Sequence, residues 1–491
     1  MLEPMSMRQL LRFGAILATC LTLAACSQTE SIDPPPAPKT TRRATATSIP
    51  PAGTPTPMFA TIIERYTVRN GDTLGAISSR YDVALEDLMQ LNGITNAKSL
   101  QIGQTLKIPI VVSRGAPGDK MLPDSEVVHS PAYAAFDLAA FVNQSPGYLA
   151  TFRDKVDGET LEGWQIVQLV AERYSVGPRV LLALIEFQSS WVSNVALTQT
   201  QIDYPMGVSA GVRAGLFQQL SWAAERLNEG YYGKITGRLG ALKFKDRSYA
   251  RIASNANPGT IAIQNVIAAT TTWDLWQNAI SASGFLATYK KLFGEPKAIE
   301  PLVPADIKQP TLRLPWSDGE LWYFTGGPHA GWGDAASWSA VDFTPPDMFG
   351  ACNASRYWST AAAPGKVIRV EHGRVVVSLS NSDFQGVGWT SMYLHIASNG
   401  RVNAGAQVNT GDRIGHPSCE GGIAEATHTH FARFYNGQWM GVETMPMILS
   451  GWTITASEYE YDGGMTRGAE NREACNCRDI PKNGIIADAG R

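Results

Sequence analysis

The chain has 491 residues, and its 41 Lys+Arg nearly balance its 44 Asp+Glu. That balance argues against a nucleic-acid role, which shows as a basic surplus. The length implies about three domains. Plentiful Gly, Pro and Trp with 17% charged residues suit an extracellular, turn-rich protein.

The chain starts with an address. Arg8 and Arg12 lead into FGAILATCLTLAA, an apolar run too short for an ordinary membrane span. It closes in Leu23-Ala24-Ala25-Cys26. Small residues before a cysteine at the end of such a run resemble a bacterial lipoprotein signal. The resemblance implies a signal peptide over 1–25, cleavage before Cys26 and a lipid on its thiol. An ordinary secretory signal with an incidental cysteine is the alternative. Both readings place the mature chain outside the cytoplasm, and Cys20 leaves with the signal. Residues 26–62 follow as a tether of Pro, Thr, Ser and Ala that cannot build a core.

The texture changes over 63–111. A short strand at 66–68 precedes Asn70-Gly71-Asp72-Thr73, a turn and helix N-cap. Leu74, Ile77, Leu85, Leu88 and Leu91 recur at helical steps, Asn92-Gly93 stops the second helix, and LQIGQTLKIP returns as a strand. This βααβ pattern resembles the LysM module. The family binds glycans containing N-acetylglucosamine in a groove between two loops. Laid on this chain, the resemblance implies a glycan site at Gly71, Asp72, Thr73, Leu74, Asn92, Gly93 and Ile94.

After a linker over 112–155, residues 156–300 carry apolar residues at three- and four-residue steps, the mark of amphipathic helices. ALIEFQSSW followed by GLFQQLS is similar to the lysozyme-like fold of lytic transglycosylases. The catalytic Glu of that pattern falls here on Gln188, whose amide cannot protonate a glycosidic oxygen. Glu186 lies two residues away on another helical face. The middle domain is therefore expected to be a non-catalytic glycan cleft, with a helical spacer as the alternative.

Residues 311–455 read as β: short strands, Gly turns and frequent aromatics. THTHFARFYNGQWMGV is two strands about an Asn436-Gly437 turn. Strand side chains alternate faces, so His428 and His430 point the same way. Four features meet them: Gly326-Gly327-Pro328-His329, the strand Ser339-Ala340-Val341-Asp342-Phe343, Tyr393-Leu394-His395, and Thr427-His428-Thr429-His430-Phe431. Together they resemble the M23 family of zinc metallopeptidases. The common His-x-x-x-Asp form is broken here, because Trp338 stands in the histidine's place. His329 further upstream restores it, a long spacing typical of the β-lytic endopeptidase branch. Ser418-Cys419-Glu420-Gly421-Gly422 is also similar to that branch, whose cysteine is disulfide-bonded.

The resemblance implies His329, Asp342 and His430 as zinc ligands, leaving the fourth tetrahedral position for water. It implies His428 as the group that deprotonates the water, and His395 as oxyanion donor or proton relay. His129, His372 and His416 are read as structural or solvated. The preferred disulfide is Cys352–Cys419. Cys475 and Cys477 are too close to bond each other without strain, so they pair elsewhere or sit in a loose tail over 456–491.

The expected whole is a multidomain α+β protein: a small βααβ module, a mainly α-helical middle domain and an all-β peptidase domain. It would be an extracytoplasmic lipoprotein that cuts peptidoglycan crosslinks with Zn2+, held to the membrane by lipid and to glycan by LysM, with no nucleic-acid partner. The rivals are a non-enzymatic wall-binding or hydrolase-activating protein, and a glycan-strand-cleaving enzyme acting through the helical domain. No HExxH helix or Gly-x-Ser-x-Gly elbow competes.

Overall fold

A computed structural model describes residues 60–68, 71–101, 104–348 and 350–488. The stretches expected as signal peptide and tether, with Cys26, lie outside the described residues except for the last few tether positions. Among those described, no helix is long and apolar enough to cross a membrane.

Strand β1 (Ala60–Thr67) pairs antiparallel with β2 (Thr105–Val112), and helices α1 (Leu74–Tyr81) and α2 (Leu85–Leu91) lie between them in sequence. The Thr73 side chain accepts from the Ala76 N–H and starts α1. Leu74, Ile77, Leu88, Leu106 and Ile108 close the small core. That core also takes in Ala241 and Tyr249 of the middle domain, and the Tyr81 hydroxyl donates to Glu64 at 3.0 Å. The module is thus docked on its neighbour rather than hung from it.

The middle region is built on α3 (Gly163–Tyr174), α4 (Pro178–Ser189), α5 (Leu216–Thr236) and α6 (Pro258–Thr270). Helix α6 is buried continuously from Gly259 to Ala268. A helix buried on every side sits at the centre of a bundle, and its polar Thr260, Gln264 and Asn265 are buried with the rest. The stretch expected as a linker is a correction: Leu122, Val127, Val128, Leu138, Val142 and Leu149 are buried in this same core. Its helices, Asp124–Val127 and Leu138–Gln144, are too short to show a period in sequence. Glu126 pins it, accepting from Arg179 at 2.7 and 3.1 Å.

The C-terminal part is a nine-stranded antiparallel sheet. Its strands are β3 (Leu321–Ala330), β4 (Trp338–Thr344), β5 (Gly365–Glu371), β6 (Arg374–Ser378), β7 (Trp389–Leu394), β8 (Gln407–Val408), β9 (Thr429–Tyr435) and β10 (Gly484–Ile486). They run in the order β8-β5-β6-β7-β9-β4-β3-β10, and Gln438–Trp439 pairs beside β9. One face, with Val341, Phe343, Val375, Tyr393 and Phe431, covers the domain's own core. The other face, with Ala340, Val376, Met392, Ala432 and Phe434, packs on the helical region.

The tail is a second correction. Gly463–Arg467 and Glu470–Glu473 extend a four-stranded sheet, β10 closes the edge at β3, and Met465 and Ile485 are buried. Cys352 bonds Cys419 as expected. Against expectation Cys475 bonds Cys477, with Cα atoms 5.2 Å apart. That separation lies inside the normal disulfide range. Asn483 shapes the segment by donating to the carbonyls of Cys475 at 3.2 Å and Cys477 at 2.9 Å.

Glu225 of α5 joins the helical region to the loop after β3. Its Oε1 accepts from the Asp334 N–H at 3.1 Å, while its buried Oε2 has no partner. Burial pushes its pKa from 4.5 up to about 7. The folded chain therefore keeps a proton that the unfolded chain releases, so this contribution is full below pH 4.5 and is lost as pH rises through 7. Glu225→Gln should remove a pH-dependent loss of about 3 kcal/mol between pH 5 and 8. Urea denaturation of both proteins at the two pH values measures it. Parallel stability losses in both would refute the assignment.

Candidate metal centre

Strand pairing brings the site together. In the β4–β9 ladder His430 stands opposite Asp342, and in the β7–β9 ladder Leu394 stands opposite His430. The β3–β4 ladder slips three times between Phe324 and Ala330. Such bulges re-aim side chains, and here they turn His329 toward Asp342. Gly326 lies opposite Asp342, and a Cβ there would come within 2.5 Å of the carboxylate. Glycine is what lets that carboxylate lie against the neighbouring strand.

Asp342 Oδ1 lies 3.2 Å from His430 Nδ1, 3.3 Å from His329 Nε2 and 3.7 Å from His428 Nε2. His329 Nε2 and His430 Nδ1 are 2.9 Å apart. The far nitrogen of each imidazole meets a backbone carbonyl: His329 Nδ1 at Gly327 (2.8 Å) and His430 Nε2 at Gly331 (3.1 Å). Those carbonyls take the ring protons and leave lone pairs facing inward. Two nitrogen lone pairs and a carboxylate oxygen then converge in a buried space. Asp342 Oδ1 itself accepts no well-formed hydrogen bond.

Converging acceptors repel unless a cation lies among them. A tetrahedral shell with bonds of about 2.0 Å has edges of about 3.3 Å. The two nitrogen–oxygen separations match that figure and the nitrogen–nitrogen one is shorter, and His329, Asp342 and His430 form a group that could hold a metal ion. Burial disfavours the charged form of Asp342, yet His329 and His428 hold its carboxyl well below the usual range. Burial lowers the His430 pKa. For His329 the Asp342 charge outweighs burial and raises it.

His395 and His428 flank this group, ring centroids 4.5 Å apart. His428 Nδ1 donates to the Ala426 carbonyl at 2.7 Å and His395 Nδ1 to that of Glu420 at 3.2 Å. In its neutral form each presents an unprotonated Nε2. Burial, then the charges of His428 and His430, push His395 down to about 3. His395 also sits at φ 62°, a left-handed conformation held by Ser418, whose N–H and hydroxyl both donate to its carbonyl. Backbone strain of this kind gathers at functional sites.

Two neighbours escaped the sequence reading. Tyr461 stacks on His329 at 4.2 Å and 19°, yet is 54% exposed. The Glu460 carboxylate accepts from the Ala330 N–H at 2.9 Å. Both come from the segment expected to be a loose tail, and no local motif marks them. The Tyr461 carbonyl accepts from the Gly327 N–H at 2.7 Å, which docks the segment beside the site.

The remaining histidines are structural: His129 is buried edge-on to Phe384, His416 packs on Trp358, and His372 occupies a turn at φ 36°. In the N-terminal module Leu74 is buried in the core, a correction to its expected place in a glycan groove. Asn92 is also engaged, donating to the Leu88 and Lys107 carbonyls and accepting from the Lys107 N–H. Asp72 accepts from Tyr66 and Arg80. Gly71, Thr73 and Gly93 remain exposed and Ile94 half-buried. Gln188 donates to the Thr270 hydroxyl at 3.1 Å. Glu186 is spent on the Val192 and Ser193 N–H groups.

Comparison with known proteins adds the lineage. Residues 120–306 match the family model described as LasA, N-terminal domain, and residues 66–109 match the LysM domain. Protease LasA of Pseudomonas aeruginosa is 25% identical over 354 residues, covering 67% of this chain and 77% of that protein. The chain is LasA-like. The cortical fragment-lytic enzyme of Bacillus subtilis is 49% identical over 45 residues, 9% of this chain and 10% of that one. The M23 metalloprotease pseudoalterin from the deep sea is 28% identical, covering 34% of this chain and 96% of that one at a TM-score of 0.29. The middle region compared above with lytic transglycosylases is thus the stretch that matches the LasA N-terminal domain. The likeness to protease LasA supports a zinc metalloendopeptidase, and the converging donors are of the kind zinc takes.

Asp342→Asn keeps the side chain's shape and removes its charge. We expect metal analysis after dialysis to find about one zinc per wild-type chain and at least tenfold less in the variant. Equal zinc in both would show that the ion sits elsewhere.

Proposed function

We propose that the protein is a lipid-anchored endopeptidase of the cell envelope that hydrolyses peptide bonds in peptidoglycan crosslinks. The convergence of His329 Nε2, His430 Nδ1 and Asp342 Oδ1, with two more histidines beside them, carries this reading. The three residues hold zinc in this proposal. When bound, zinc supplies Lewis-acid polarisation of the scissile carbonyl and acidification of water.

The protein's own groups do the rest. The Ala426 carbonyl fixes the His428 tautomer, so Nε2 accepts the proton of the attacking water. His395 is set the same way by Glu420. Its neutral Nε2 is an acceptor, which favours proton relay over donation to an oxyanion. Once protonated, either imidazole delivers that proton to the leaving amine. Exposed Tyr461 covers one side of His329 and faces arriving substrate.

The attachments serve concentration. A lipid on Cys26 and the tether over 26–62 would hold the enzyme at a membrane, outside the cytoplasm. The LysM module would hold glycan through Gly71, Thr73, Gly93 and Ile94. Its docking on the middle domain through Ala241 and Tyr249 would present the glycan site at a fixed position relative to the peptidase. Holding substrate at two points raises its local concentration at the zinc centre.

Digestion of purified peptidoglycan tests the proposal. Mass spectrometry should find new amino termini on crosslink peptides. His428→Ala should keep its zinc and lose about 10²–10⁴-fold in rate. New reducing or anhydro sugar ends without new amino termini would contradict the reading.

A further inference from the structure

The chain between Ser418 and His428 forms a short loop fixed at its base. Ser418 and His428 pair as an isolated bridge, and Cys419 is bonded to Cys352. The Thr427 N–H donates to the Ala351 carbonyl at 2.7 Å, and its hydroxyl to the Asn353 carbonyl at 2.5 Å. The Glu420 carboxylate accepts from the Ser398 N–H at 2.8 Å. A loop held at so many points loses little freedom when something binds it.

Two glycines carry this loop past the relay histidine. Gly421 and Gly422 hold φ values of 73° and 63°. A Cβ on Gly421 would strike the His372 carbonyl at 1.8 Å. One on Gly422 would lie 3.5 Å from His395 Cε1, the carbon next to Nε2. The backbone thus runs against the working edge of His395. The next residue is Ile423, 96% exposed, and among the described residues no other large apolar side chain is as bare.

A lone apolar side chain on an ordinary surface needs no explanation. Ile423 stands instead at the mouth of the metal centre, directly after the glycine that meets His395. Exposed Tyr461, stacked on His329, flanks the same mouth. Burial, then the charges of Asp342, Glu460, Asp334 and Glu425, raise the Tyr461 pKa. Glu425 therefore brings the far end of the loop within electrostatic reach of that ring. The N–H groups of Ile423 and Ala424 donate to no group among the described residues. An extended peptide crossing the centre can accept from them while one of its side chains rests on Ile423.

We propose that Ile423 forms a subsite beside the scissile bond and selects an aliphatic side chain there over glycine. Such a side chain and Ile423 remove each other's apolar surface from water, and glycine has nothing to cover it with. The free N–H groups hold any peptide backbone and make no choice. The inference rests on the peptidase reading and names the substrate class of that site: peptides with alanine or a larger aliphatic residue next to the bond cut.

Hydrolysis of fluorescence-quenched peptides by the zinc-loaded full chain tests it. The parent peptide is a run of glycine. The others carry one L-alanine, D-alanine or L-leucine at each position in turn, and mass spectrometry locates the cut. At one position beside the cut, an aliphatic residue should raise kcat/KM at least about tenfold over glycine. Ile423→Ser should shrink that ratio at least about fivefold, mainly through KM, and bind as much zinc as the wild type. Ile423→Val should keep the ratio. Cleavage with no aliphatic preference at any position, or with a preference that Ile423→Ser leaves intact, would overturn the subsite alone. Cleavage of none of the peptides would overturn the peptidase reading and the subsite with it.

Discussion

The register between β4 and β9 is the constraint on which the rest depends. It sets His430 opposite Asp342 with both side chains on one face. A slip of one residue would send the imidazole to the apolar core and bring Phe431, now buried there, to the site. Register is costly to change because β9 is buried on both faces, with Ala432 and Phe434 against the helices and Phe431 against the sheet's own core. The converging lone pairs are therefore held by the packing of a whole sheet. Of the paired strands that carry the ligands, β3 is the one that bulges, with Gly326 at its slip.

The same face serves two purposes. Ala340 and Ala432, two residues from Asp342 and His430 on their strands, pack on the helical region. Trp439 seals that boundary, its N–H donating to the Tyr232 hydroxyl at 2.9 Å and its indole to the Tyr174 carbonyl at 3.3 Å. The middle region thus shares a core with the catalytic sheet instead of folding beside it. The buried Glu225 and the Glu172–Arg369 pair lie on this boundary.

Much of the site was legible in the sequence because its parts are local signals. His-x-His on a strand forces two imidazoles onto one face, and Gly-Gly-Pro-His marks a backbone that bends. Helix periods and the Asn436-Gly437 turn located the helical and β regions. What stayed hidden is held by long-range contacts. Residues 112–155 carry short helices whose burial depends on Arg179 and α6, which no periodicity reveals. Tyr461 and Glu460 reach the centre through two backbone hydrogen bonds and one carboxylate contact with β3. Leu74 was misplaced because a helix-start residue beside a loop can face either way, and the small core claimed it. The Cys475–Cys477 bond was missed because sequence spacing alone does not show how Asn483 folds that segment.

The central claim is a single ion gripped by two imidazoles and one carboxylate. X-ray absorption at the zinc edge of the metal-loaded full chain tests it most directly. The account predicts four nitrogen and oxygen neighbours at about 2.0–2.1 Å, with outer-shell scattering from two histidine rings and no sulfur. A zinc–sulfur distance near 2.3 Å, or a spectrum lacking imidazole scattering, would contradict it.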